Sequence, residues 1–154
     1  MDGLDGQPAA RLRGEPVVLR HPETRRLASL SFAADRDFLA LARMTAMHVA
    51  GLLGMPIGRV TDLRLAVDEA CSLFLAPLPH KLAPGSPRGQ LTLQFDRTGA
   101  ALRIRVSGPA PEHGPDEEDL GWTMLCALVG EPRWEARDGI GILTLTEPLP
   151  TARR

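Results

Sequence analysis

The side chains of this sequence that could do chemistry are few and unevenly spread. The densest set is Asp62-Leu63-Arg64-Leu65-Ala66-Val67-Asp68-Glu69-Ala70-Cys71-Ser72. Taken alone, Glu69 is a solvated helix acid. A second set is Glu112 followed by Asp116-Glu117-Glu118-Asp119, five acids in eight residues. Carboxylates at the start of a helix stabilise it through the positive end of its dipole, and they repel phosphate from the same place. His48, His80 and His113 show no acid–nucleophile spacing of a catalytic triad. His48 reads as a core-edge residue of a helix, and Cys71 and Cys126 read as buried thiols on apolar helix faces. Two cysteines are too few for a disulfide framework or a four-ligand metal site.

Composition narrows the function classes further. Eighteen basic residues, all arginine except Lys81, stand against 19 acidic ones, for a net charge of −1. That balance offers no field for a phosphate backbone or an anionic membrane, so neither a nucleic acid nor a membrane is an expected partner. Chemistry that needs several lysines is excluded. No apolar run approaches the ~18 residues of a membrane span, and the acidic start, Met1-Asp2-Gly3-Leu4-Asp5, is unlike a signal peptide. A cytoplasmic protein is expected. With 154 residues, 44% of them apolar, one self-sufficient core is expected.

The elements that must position these residues follow from periodicity. Residues 26–32 alternate and predict a strand, and Asp35 is a candidate cap. Phe38, Leu41, Thr45, His48 and Leu52 recur at steps of three and four, which predicts a helix whose apolar stripe they form, ended by Gly54. Pro56 suits the first position of a second helix reaching about residue 76, with Val60, Leu63, Val67, Ala70 and Phe74 as its stripe. Pro77 and Pro79 end it, and 78–88 reads as a loop. Strands are predicted at 90–96 and 101–107, joined by Arg97-Thr98-Gly99, and a loop with three prolines at 108–116. A helix at 119–129 follows, then strands at 133–137 and 140–146 around Asp138-Gly139, a strong hairpin signal. Residues 17–19 could add a short strand. The order predicts an α+β fold, with a mixed or mainly antiparallel sheet covered on one face by helices.

The helix bearing Ala66-Val67-Asp68-Glu69-Ala70, the two hairpins, and the late Gly121-Trp122-Thr123-Met124-Leu125 helix together resemble one family. They resemble the RsbW-type anti-sigma factors, serine kinases of the histidine-kinase-like (GHKL) ATPase superfamily, over about 27–146. The resemblance implies a Bergerat-type domain at 26–147, between a flexible arm at 1–25 and a tail at 148–154. In that family a Glu on the second helix orients a hydroxyl or water, and an Asn four residues on helps to hold magnesium against the phosphates. Here Glu69 is followed at that spacing by Leu73, which cannot ligate a hard cation. The family's Asp-x-Gly-x-Gly box corresponds to Ser107-Gly108-Pro109-Ala110-Pro111, so the adenine-binding Asp is Ser107 and two glycines are Pro109 and Pro111. Proline fixes φ and lacks the amide proton. A further Gly-x-Gly opens the late helix, where amides face the phosphates. Its first glycine is replaced by Asp119, and Gly121 survives.

The resemblance therefore implies an anti-sigma scaffold with a dismantled nucleotide site, for which ATP and magnesium, the family's ligands, are not expected to bind. The implied partners are a sigma factor, captured on the first strand and first helix, and an anti-anti-sigma protein that releases it. A homodimer is a family expectation. Ungapped counting back from Glu69 places the family's sigma-contacting arginine at Arg43, whose planar fork suits carboxylates. Trp122 reads as packing beside the surviving glycine, and Met44, Met47 and Met55 as core filling or a soft partner surface. Two alternatives stand beside this reading. One is an active serine kinase of an anti-sigma-factor antagonist, with Glu69 as its residual base, and the other a scaffold that binds another ligand or protein in the altered cleft. Arginine-, alanine- and proline-rich usage points to a GC-rich, actinobacterial-type genome.

Overall fold

The computed structural model describes residues 22–75 and 89–151. The possible strand at 17–19, the loop at 78–88 with His80, and the remaining ends lie outside them. Five strands, β1 (Thr24–Ala33), β2 (Gln90–Thr98), β3 (Ala101–Pro109), β4 (Arg133–Arg137) and β5 (Ile140–Pro148), are joined with three helices, α1 (Leu39–Leu52), α2 (Ile57–Leu75) and α3 (Leu120–Val129). The sheet order is β1-β2-β3-β5-β4, and every pairing is antiparallel. The fold is α+β, as expected, with the mixed option resolved to antiparallel among the described residues.

Alternation decides which face each strand gives to the core. Leu91, Leu93 and Phe95 of β2, Leu102, Ile104 and Val106 of β3, and Leu143 and Leu145 of β5 are buried on the face that carries the helices. α1 contacts β1, α2 contacts β3 and α3 contacts β5, with α2 in the middle touching both other helices. The predicted α2 stripe of Val60, Leu63, Val67, Ala70 and Phe74 is buried, and Ala66, Cys71 and Leu75 widen it. A helix covered by a sheet below and helices on both sides needs a broader apolar face than a surface helix.

α1 is turned the other way from the stripe read in the sequence. Its buried residues are Leu39, Ala42, Ala46, Val49 and Ala50, while Phe38, Leu41, Met44 and Leu52 are 43%, 45%, 68% and 75% exposed. His48 is exposed as well, a correction to its core-edge placement. The reason is close packing. Ala42, Ala46 and Ala50, with Ala66 and Ala70 on α2, are small enough to let elements approach closely, so the bulky side chains are left outside.

Local boundaries also shift. β1 begins at Thr24, inside the segment expected as an arm, and carries a bulge between Arg26 and Ala28. Asp35 caps a short 3-10 turn, Arg36–Phe38, by accepting from the Asp37 amide at 3.1 Å, rather than capping α1 directly. The first hairpin turns at Gly99-Ala100, because Thr98 still pairs with Ala101. The second turns at Asp138-Gly139 as expected, with φ values of 52° and 78°, the left-handed pair that a two-residue type I′ turn requires. β3 continues through Pro109, where the sequence reads as loop, because Gly108 and Pro109 pair with Gly141 and Ile140. β5 likewise reaches Pro148.

Candidate functional site

The site is built where α2 faces the lead-in to α3. Glu69 and Leu73 lie one turn apart on α2, both half-buried. Gly121, in the first turn of α3, is buried, and a Cβ there would run into the Glu69 carboxylate, 3.3 Å from its Cδ. The two positions that match the family pattern therefore touch each other, and only a residue without Cβ permits the contact. One turn further along α2, Leu73 meets Pro111, His113, Pro115, Asp116 and Asp119 around a cleft of about 290 Å³. That size is at the low end for a small-molecule site.

Two amides of the lead-in are engaged within the segment itself. The Glu118 amide donates to the Asp116 carboxylate at 2.9 Å, and the Asp119 amide to the Asp116 carbonyl at 3.0 Å. The Asp119 carbonyl accepts from the Thr123 amide at 3.0 Å and from the Thr123 hydroxyl at 3.1 Å. Asp119 occupies the N-cap without a side-chain cap bond. Of the carboxylates at this helix start, Asp116 takes the Glu118 amide just ahead of α3, and Asp119 stands at the N-cap with its negative charge beside the first turn. The loop is further held by Trp134 of β4, whose indole lies against Gly114 and Gly141 and stacks at a tilt on Phe74, with ring centroids 5.4 Å apart.

Three of the residues singled out in the sequence, Leu73, Pro111 and Asp119, come together in this cleft, with Glu69 and Gly121 beside it. Two do not. Ser107 follows the parity of Arg103 and Arg105, on the sheet face away from the helices, and its hydroxyl donates to the Thr92 carbonyl at 3.4 Å. Pro109 is exposed at the end of β3, paired with Ile140. Because β3 runs on as strand, alternation gives the helix side to Gly108 and withholds it from both neighbours.

Arg43 is half-buried, and its Nη1 donates to the Asp68 carboxylate at 2.6 Å, which ties α1 to α2. Cys71 is buried and Cys126 exposed, so the expectation of two buried thiols is corrected at Cys126. Burial, then the nearby Asp68 charge, pushes the Cys71 thiol up to about 12. Trp122 packs against the core, and Met55 is buried, while Met44 and Met47 are exposed. No three of His, Cys, Asp and Glu gather into a metal-holding group among the described residues, and no described helix is long and apolar enough to cross a membrane.

The sequence reading missed two charged clusters. Arg59, at the start of α2, donates from Nε to buried Glu147 at 2.8 Å, from Nη1 to Asp62 at 2.8 Å and from Nη2 to the Leu128 carbonyl at 3.1 Å, joining α2, α3 and β5. The hydrogen bond to Glu147 is the main cause holding the Arg59 pKa above its ordinary value. Buried Asp96 pairs with Arg26 and, at 3.3 Å, with Arg105. For Glu147 a signal existed, since it continues the inward parity of Leu143 and Leu145 and a carboxylate there requires a partner.

Three helices on one face of a five-stranded antiparallel sheet, with a cleft between the central helix and the lead-in to the last, make an RsbW-like fold. The solved structure that carries this comparison is the crystal structure of the RsbU and RsbW domains of Rv1364c from Mycobacterium tuberculosis. The match has a TM-score of 0.61 at 20% identity, over 83% of this chain and 34% of that one. This chain spans about a third of that protein's chain. No protein-family model matches the sequence, and no curated protein matches it.

Proposed function

We propose that this protein is an anti-sigma factor that holds a sigma factor by direct binding and is released by an anti-anti-sigma protein, without using ATP. The observation that carries the reading is the outward face of α1. Phe38, Leu41, Met44 and Leu52 form an exposed apolar stripe beside the Arg43–Asp68 pair. Large apolar side chains gathered on one exposed helix face suit a protein–protein contact, and methionines let such a surface adapt to its partner. The RsbW-like fold supports the choice of a sigma factor as that partner.

The cleft supports the second half of the reading. A magnesium triphosphate needs oxygen ligands for the cation and free amides for the phosphates. The residues here do not fit one: Leu73 offers no ligand, and Asp116 already takes the Glu118 amide. Asp116 and Asp119 would also repel the phosphates. Titration calorimetry with ATP and magnesium is expected to show no low-micromolar site, and finding one would overturn this half.

One observation favours a second reading, an active serine kinase. Glu69 survives at the cleft, against Gly121. Radiolabelled phosphate transfer to a cognate antagonist, abolished by Glu69→Ala, would establish the kinase. On the favoured reading no transfer occurs with the wild-type chain.

A further inference from the structure

The sheet face opposite the helices carries a second cavity, of about 640 Å³, lined by Arg103 and Arg105 of β3, Arg133 and Glu135 of β4, and Ile142 and Thr144 of β5. The registers align these side chains in rows. Arg105 stands opposite Thr144, which on its other side stands opposite Arg133, and Arg103 stands opposite Thr146.

A sheet surface that satisfies itself sets opposite charges across neighbouring strands, and each such pair contributes to stability. Here Arg105 and Arg133 both face Thr144 and Glu135 faces Ile142, while Arg103 stands between Thr146 and the buried Asp96, which is bonded instead to Arg26 and Arg105. Among the described residues, neither Arg103 nor Arg133 has an ion pair or side-chain hydrogen bond. Arg105 reaches Asp96 through Nη2 at 3.3 Å, yet its buried Nε has no acceptor. A buried donor without an acceptor costs free energy until something supplies one.

We propose that this cavity binds a small molecule carrying two anionic groups, phosphate or carboxylate, set between Arg105 and Arg133. Guanidinium forks take both kinds of oxyanion bidentately, and the threonine hydroxyls between them add donors. The volume lies within the range of small-molecule sites. Glu131 and Glu135 also line the cavity, so three arginines against two glutamates leave a net charge of +1. That favours a compact dianion over a long polyanion. The site is separated by the sheet from the α2–α3 cleft and is independent of the α1 surface.

The test is titration calorimetry of the full chain at low salt with pyrophosphate and, separately, with citrate. Saturable binding of at least one is expected, weakened about tenfold or more in Arg133→Gln and in Arg103→Gln. Those two arginines hold no partner among the described residues, so both variants are expected to unfold at the wild-type denaturant concentration. Arg105→Gln is a third variant, read only if its unfolding midpoint is unchanged, because it also releases Asp96. Binding of pyrophosphate alone assigns a phosphate ligand, and citrate alone a carboxylate one. Binding of both assigns recognition by charge, and each of these outcomes supports the site. Absence of binding by either probe, or affinity unchanged in the Arg103→Gln/Arg133→Gln double variant, overturns it.

Discussion

Glu147 is a carboxylate where strand alternation calls for an apolar side chain, and the fold tolerates it because Arg59 reaches across from α2. Removing the arginine leaves a buried charge whose hydration is not restored. Arg59 itself is partly exposed, so the loss is smaller than for a fully buried pair. Arg59→Ala is expected to cost about 1–3 kcal/mol, read as a lower urea midpoint. The Arg59 pKa is raised, so this contribution is fully present below the ordinary arginine pKa and lost only as pH rises through the higher folded value. The clamp is therefore expected to be insensitive to pH across the neutral range. Cys71 behaves in the same sense at a lower pH. Its thiol, pushed up by burial to about 12, stays protonated in the folded chain while the unfolded chain ionises. Stability is expected to fall between about pH 9 and 12, most plainly in the difference between the wild type and Cys71→Ala. At neutral pH, one equivalent of maleimide should label exposed Cys126 quickly, and Cys71 should react only after unfolding.

At the scale of the element, α1 shows where the sequence could be read and where it could not. The helix itself was legible in its period of three and four, and so was its neighbour α2, because a helix covered on three sides has large apolar residues on its buried face. The direction of α1 was not legible. A moment built from residue size selects Phe38, Leu41 and Leu52, whereas the packing selects Ala42, Ala46 and Ala50, where closeness rather than bulk is required. Ala46→Leu is expected to destabilise the domain by about 1–3 kcal/mol through overpacking. Leu41→Asp combined with Met44→Glu should change stability by less than about 0.5 kcal/mol per site and still abolish partner capture. Chemical denaturation read beside a pull-down separates the two effects. The cleft was legible in part for a related reason. Helix spacing carried Leu73 to its place beside Glu69, and the acidic lead-in carried Asp119. Ser107 and Pro109 were misplaced because a strand that runs two residues further reverses which neighbours face the helices.

At the scale of the molecule, the domain has three surfaces with different chemistry. The outer face of α1 is apolar, the α2–α3 cleft is small and acidic, and the far side of the sheet is rich in arginine. A nucleotide-driven switch would need the cleft to welcome phosphate, and the carboxylates of Asp116 and Asp119 that line it oppose that. The proposal of capture without nucleotide therefore rests on the α1 face. The direct measurement is purification of the tagged chain from its native cells, with mass spectrometry of what comes with it, in the presence and absence of ATP and magnesium. A sigma factor is expected in the wild-type eluate in equal amount under both conditions, and absent from the Leu41→Asp/Met44→Glu variant. No sigma factor with the wild type, or one retained only when ATP is added, would contradict the account.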